Sequence, residues 1–267
     1  MQPVLAAYAT DCLTGDQDEH NYEIFERPFV ITGVVGIVDV VPQRPCTGAD
    51  ATHFDHPLVL TTIQYNAYED YPIVHLGYGQ CGYVPNCTAY GSGLHFLYTE
   101  FDSYQGELHL ADGWYGGTPV VGHRYRFKIT SIVEMGNPKW RYCIRDMTTG
   151  QAYVCHNRPR TWGRDYGTYV WWGAETKNDH SQIGGGGALE LTEYQAQFEY
   201  QGEWWWVDTW DPVDPSHGCH KYSYLADGSQ GTFPSSYYRC YVVDKTDTNG
   251  DGQLNDDDAL NIYTISH

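Results

Sequence analysis

Apolar positions along this chain recur with the period of a strand and not of a helix. Residues 29–41, 58–65, 73–78, 94–101, 123–133, 140–146, 168–175 and 194–200 alternate apolar with polar or run apolar between turn signals. Gly116-Gly117-Thr118-Pro119, Gly136-Asn137-Pro138, Thr149-Gly150 and the glycine run 184–187 punctuate them. Helical periodicity is nearly absent before residue 255. The pattern predicts an all-β fold, a two-sheet antiparallel β-sandwich. In that architecture alternate side chains enter the core and the others form an outer sheet face that can serve as a binding platform.

The flanks read differently. Residues 1–22 are polar and weakly patterned, as in an N-terminal arm, and 23–207 hold the sandwich. Residues 208–243 are rich in Pro, Gly and Ser and are expected to form a disulfide-tied extension. Residues 244–267 read as an EF-hand-like calcium loop followed by a short helix.

Composition narrows the function classes. With 41% apolar and 15% aromatic residues in 267, the chain can bury a full core. Fifteen basic against 34 acidic side chains leave a formal charge of −19, which repels nucleic-acid phosphates and anionic lipid. Nucleic acid is therefore not an expected partner, and no apolar run approaches the roughly 18 residues of a membrane span. Residues 1–9, MQPVLAAYA, lack the basic start and apolar core of a secretion signal, so any leader is expected to have been removed.

Eight cysteines, Cys12, Cys46, Cys81, Cys87, Cys143, Cys155, Cys219 and Cys240, make an even count that suits an oxidised, secreted protein. The pairs Cys81/Cys87, Cys143/Cys155 and Cys219/Cys240 each bracket turn residues, which leaves Cys12/Cys46 by elimination. The alternative is a zinc site, but no C-x2-C is present and the histidines do not fall at finger spacing. Asn86-Cys87-Thr88 is a glycosylation sequon at Asn86.

The sharpest local signal is the stretch 247–258, DTNGDGQLNDDD, which fits D-x-[DN]-x-[DN]-G-x5-[DE] throughout. Asp247, Asn249 and Asp251 supply the early oxygen ligands, Gly252 permits the sharp turn, the Gln253 carbonyl follows and Asp258 closes the shell. Hard oxygen ligands select Ca2+, and the expected role is to staple the terminus to the body. The alternative is an acidic, solvated tail. The wording DTNGDGQLNDDDALNIY resembles one half of a dockerin repeat, which implies a helix directly after the loop.

Aromatic runs supply the candidate ligand residues. In a strand, Trp204-Trp205-Trp206 must point to alternating faces, and Trp171-Trp172 likewise, so Trp171, Trp204 and Trp206 are candidates for stacking on a sugar or a protein partner. The alternative is that they fill the edge of the core.

Six segments occur in the order found in the glutamic peptidases (eqolisins) and their bacterial relatives: FVITGVVGIVDVVP, VHLGYGQ, LHFLYTEFDS, VVGHRYRFKI, WRYCIRDMTTGQ and YVWWGAET. Residues 25–210 thus resemble that family, and the resemblance implies a concanavalin-like jelly roll. Carried over residue by residue, it implies Glu175 as general base with Glu100 in support, while the family's oxyanion-binding Gln falls on His75, with Gln80 nearby. No G-x-S-x-G elbow accompanies them.

Three functions follow as expectations. The first is a secreted, calcium-stabilised sandwich that binds a glycan or protein polymer through an aromatic-lined sheet without catalysis. The second is a subunit of an extracellular filament or surface layer, self-associating through its arm. The third is an acid endopeptidase using Glu175, Glu100 and His75.

Overall fold

The computed structural model describes residues 20–27, 30–44, 58–66, 69–80, 93–101, 107–160, 165–176, 182–183, 192–206, 219–224, 239–246 and 259–265. The first elements are β1 (His20–Arg27), β2 (Gly33–Asp39), β3 (Gln43–Arg44), β4 (Leu58–Asn66), β5 (Glu69–Gln80), β6 (Leu94–Phe101), β7 (Glu107–Leu110) and the single-turn helix α1 (Asp112–Tyr115). Then come β8 (Arg124–Glu134), β9 (Asn137–Asp146), β10 (Val154–Pro159), β11 (Tyr169–Thr176), β12 (Gln182–Ile183), β13 (Thr192–Tyr200) and β14 (Glu203–Trp206). The last are β15 (Cys219–Tyr224), β16 (Arg239–Thr246) and β17 (Ala259–Ile265).

These strands build two antiparallel sheets. A seven-stranded sheet runs β15-β1-β11-β4-β5-β6-β7, and an eight-stranded one runs β10-β9-β8-β2-β13-β17-β16 with β14 added against β13. Strands β12 and β3 pair separately. Each of the eight segments read as strands from the sequence contributes a strand, because the period-2 pattern is what a sheet with one face on a core requires.

The ladder fixes which side chains meet. Trp172, Thr61, Leu76 and Tyr98 lie opposite one another across β11, β4, β5 and β6. Val34, Ile129 and Tyr142 do the same across β2, β8 and β9. Both rows are buried and meet between the sheets with Tyr78, Phe96 and Phe127. Two details set how closely the layers approach. The Trp172 indole donates from Nε1 to the Val35 carbonyl at 2.7 Å, bridging the sheets through the core. A side chain at Gly36 would place its Cβ 2.0 Å from Thr61 Oγ1, so only glycine allows β2 to lie this near β4.

Turn chemistry sets the hairpins. Met135 and Gly136, both at positive φ (52° and 80°), form the two-residue connection between β8 and β9. Gln201 and Gly202 (53° and 85°) do the same between β13 and β14.

One expectation is corrected. The segment after residue 258 is not a helix: Ala259–Ile265 is β17, paired with β13 and β16. Ile262, Tyr263, Thr264 and Ile265 are β-branched or aromatic and suit a pleated surface between two strands better than a solvated helix. The division drawn at residue 22 falls inside β1. Within the segment read as an extension, β15 lies on the seven-stranded sheet and β16 begins on the eight-stranded one.

Candidate functional site

Strand β8 alternates Arg124, Arg126 and Lys128 with Tyr125, Phe127 and Ile129; the apolar set is buried and the cations are half-buried on the outer face. Strand β9 repeats the pattern, with Lys139, Arg141 and Arg145 outside. Beneath these long side chains, Val35 and Ile37 of β2 form an apolar floor. Directly opposite each other across β9 and β10, Cys143 and Cys155 form a disulfide with their Cα atoms 4.1 Å apart, the pairing expected from the sequence.

Aromatic rings stand among the cations. The Gln201-Gly202 turn sends β14 back along β13, so that Trp204 lies opposite Glu199 and Trp206 opposite Gln197. Through Glu199–Gly33 and Gln197–Val35 those positions share the outer side of the ladder with β8 and β9. The Lys128 ammonium lies 4.2 Å from the Trp204 ring centre, a cation–π contact. Arg126 and Arg145, directly opposite in register, both face the Tyr153 ring, with their guanidinium carbons 5.9 and 5.8 Å from its centre.

The partners of these cations decide how much charge remains. At the rim, Arg124 grips Asp39 through Nε at 2.8 Å and an Nη at 2.7 Å, and Lys139 pairs with Glu134. In the middle the hydrogen-bond acceptors are neutral. Arg126 donates to the Gln197 side-chain carbonyl, Arg141 to Asn157 Oδ1 at 2.9 Å and Arg145 to the Gln151 carbonyl at 3.0 Å. Burial lowers the Lys128 pKa; Glu199 works against this, while Arg126 and Arg141 add to it. Burial raises the Glu199 carboxyl, and Lys128 only partly offsets it. Among the described residues Arg126 Nε, Thr130 Oγ1 and Glu199 Oε2 are buried on this face without a hydrogen-bond partner. The surface can therefore hold polar and anionic groups against flat rings.

The remaining expected residues fall elsewhere. Trp171 lies opposite Thr62 and Glu26, on the seven-stranded sheet, away from Trp204. His75 is buried between Thr62 and Thr99, its Nδ1 hydrogen-bonded to Thr62 Oγ1 at 2.8 Å. Glu175 is opposite Leu58, whose other partner is Gly79, four residues along β5 from His75 and with β4 between. Strand spacings put those two backbones roughly 16 Å apart. Glu100 pairs with Val74 and Gln80 lies two residues beyond Tyr78, so both alternate onto the core side of the ladder, opposite to His75. The register does not bring Glu175, Glu100 and His75 together.

Glu100 instead raises the pKa of buried Tyr142, after the larger effect of burial itself. Nearby, an aromatic cluster closes the edge of the sandwich where β6 and β7 meet β10 and α1. His156 stacks on Trp114 (5.6 Å, 12°), and Tyr98 stacks on His109 at 5.0 Å and approaches His156 at 5.8 Å. Burial, then the positive Arg158 and His109, push the His156 pKa down.

The calcium ligands Asp247, Asn249, Asp251, Gln253 and Asp258 lie outside the described residues, as do Cys12, Cys46, Cys81, Cys87 and Asn86. Among the described residues no group of three or more His, Cys, Asp or Glu is placed to hold a metal, and no helix is long and apolar enough to cross a membrane. The cationic set Arg126, Lys128, Arg141 and Arg145 was missed from the sequence. Its signal was present in RYRFK and KWRYCIR, where the cations take the positions that a core-facing strand leaves outside. Comparison with protein-family models and with curated proteins finds no match for this chain.

Proposed function

We propose that the protein is a secreted, calcium-stabilised β-sandwich that binds a polymer through the outer face of its eight-stranded sheet, without catalysis. The observation that carries this reading is Trp204, set among cations above a buried apolar floor, with Trp206 two residues on along β14, opposite Gln197 in register. A half-exposed indole beside an ammonium offers apolar surface for stacking, and a sheet face offers the long, flat contact that a polymer needs. Glycans are favoured over peptides because their CH faces stack on rings while their hydroxyls both donate and accept. That suits a surface whose unpartnered atoms include the Arg126 donor and the Glu199 acceptor.

Calcium enters through chain connectivity. Thr246 and Ala259, the residues immediately flanking the ligand series, are opposite one another across β16 and β17. The first and last ligands, Asp247 and Asp258, are each one peptide from that pair, so the hairpin holds the ends of the series together before any ion arrives.

Retention of the protein on a panel of immobilised polysaccharides is the test. Trp204→Ala and Trp206→Ala are each expected to weaken binding about tenfold, the cost of losing a central aromatic anchor. Trp171→Ala, on the other sheet, is expected to change nothing. Binding that survives the Trp204/Trp206 double replacement overturns the reading.

A further inference from the structure

We propose that the polymer is a carboxylated polysaccharide, its carboxylates seated on the cross-strand pair Arg126 and Arg145 and on the adjacent Lys128 and Arg141. This rests on the reading above and names the chemistry of its ligand.

The inference begins with an imbalance. The chain has 15 Lys and Arg against 34 Asp and Glu, yet β8 and β9 place six of those cations on one face. Two are neutralised at the rim by Asp39 and Glu134. Of the four between them, Lys128 feels the Glu199 carboxylate and Arg141 feels Glu134, which Lys139 already holds, while the hydrogen bonds of Arg126, Arg141 and Arg145 run to neutral oxygens. Those bonds aim the guanidinium groups without cancelling their charge.

The placement also breaks a local rule of sheets. Like charges directly opposite each other on antiparallel strands destabilise the pair, and Arg126 stands opposite Arg145. The Tyr153 ring between them provides partial relief. An anion bridging the two guanidinium groups relieves it fully, and a carboxylate matches their planar donors in pairs. Local rules broken without internal compensation are typical of binding surfaces.

The spacing suits a chain of anions and not a single one. Alternate residues along β8 put Arg126 and Lys128 about 6.7 Å apart; across the ladder Arg145 stands about 4.8 Å from Arg126, while Arg141, opposite Thr130, lies diagonally beyond Lys128. Between and beside these charges lie Tyr153 and Trp204 for ring stacking and Asn157 and Thr130 for hydroxyls. A second copy of this chain is disfavoured by mutual repulsion at −19 each.

The test compares binding to polygalacturonate and to its fully methyl-esterified form, which keeps the sugars and removes the charge. The expected result is binding to the acid form that weakens as salt rises, with the ester at least tenfold weaker. Arg141→Gln and Arg145→Gln should each lose about tenfold on the acid form, as expected for a charge-assisted contact. Arg145→Lys should recover only part of its loss, since it restores the charge but not the planar pair of donors, and unchanged thermal melting shows that the variants are folded. Equal binding of both forms, unaffected by Arg145→Gln but lost in Trp204→Ala, overturns the carboxylate and leaves the polymer reading standing. Binding of neither form, with a neutral glycan retained through Trp204, has the same meaning. No glycan retained at all removes both. Tighter binding to a single-stranded oligonucleotide, or salt-sensitive dimers that Arg145→Gln abolishes, overturns the proposal in favour of those partners.

Discussion

At the scale of single residues, the core and its edge obey different constraints. Gly36 and Trp172 fix the distance between the layers, one by lacking a side chain and the other by reaching across with a hydrogen bond. His156 at the edge is held by stacking on Trp114, in surroundings that disfavour its charged form. Its pKa in the folded protein lies below the ordinary 6.5 it regains on unfolding, so the unfolded chain binds the proton more readily. The stability contributed by His156 is complete above pH 6.5 and is lost as pH falls through the lower folded value. The urea midpoint is therefore expected to fall between pH 7 and pH 5, and His156→Gln should flatten that change; an identical slope in the variant would refute the assignment. At lower pH Asp146 follows with the same sign. Burial raises its carboxyl, but hydrogen bonds from the His123 ring and from the Thr149 amide and hydroxyl, with the charge on His123, outweigh this and hold it below its usual value.

At the scale of elements, the β9–β10 hairpin carries both the disulfide and half of the cationic row. Cross-linking residues 12 apart removes about 3 kcal/mol worth of freedom from the unfolded chain by the loop-entropy estimate. Reduction, or the Cys143→Ser/Cys155→Ser pair, is expected to lower unfolding free energy by about 2–3 kcal/mol and to weaken binding of the anionic polymer, since Arg141 and Arg145 flank Cys143. Denaturant titration with and without reductant checks the first part. The elements most legible in the sequence were those with one face in the core, such as β8, where Arg124 to Ile129 alternate without a break. Strand β1 was hidden because HNYEIFER has few apolar residues, and it lies between β11 and β15. Strand β17 was hidden by its neighbours in sequence, since a loop resembling an EF-hand suggests a helix to follow. The cationic face was readable as alternation, but its meaning depended on register. Only the pairing of Arg126 with Arg145 shows that the charges stand together, and only register separates Glu100 from His75.

At the scale of the whole molecule, the ligand series proposed for calcium falls in sequence between β16 and β17, and β17 pairs with β13, whose other partners are β2 and the tryptophan strand β14. Loss of the ion should thus be felt as a fall in global stability. At a hundredfold excess over its dissociation constant, an ion bound only to the folded state contributes about 2.7 kcal/mol. Adding a chelator is expected to lower the melting temperature by about 5 °C or more, and Asp247→Ala or Asp251→Ala should abolish the dependence. Equal melting with and without chelator would remove calcium from the account. The connectivity of the seven-stranded sheet has a further effect. Asn21 is paired with Thr176 and Phe25 with Cys219, so the beginning of that sheet finds its neighbours only after roughly 150 to 200 more residues have emerged from the ribosome. Such long-range pairing makes for slow assembly.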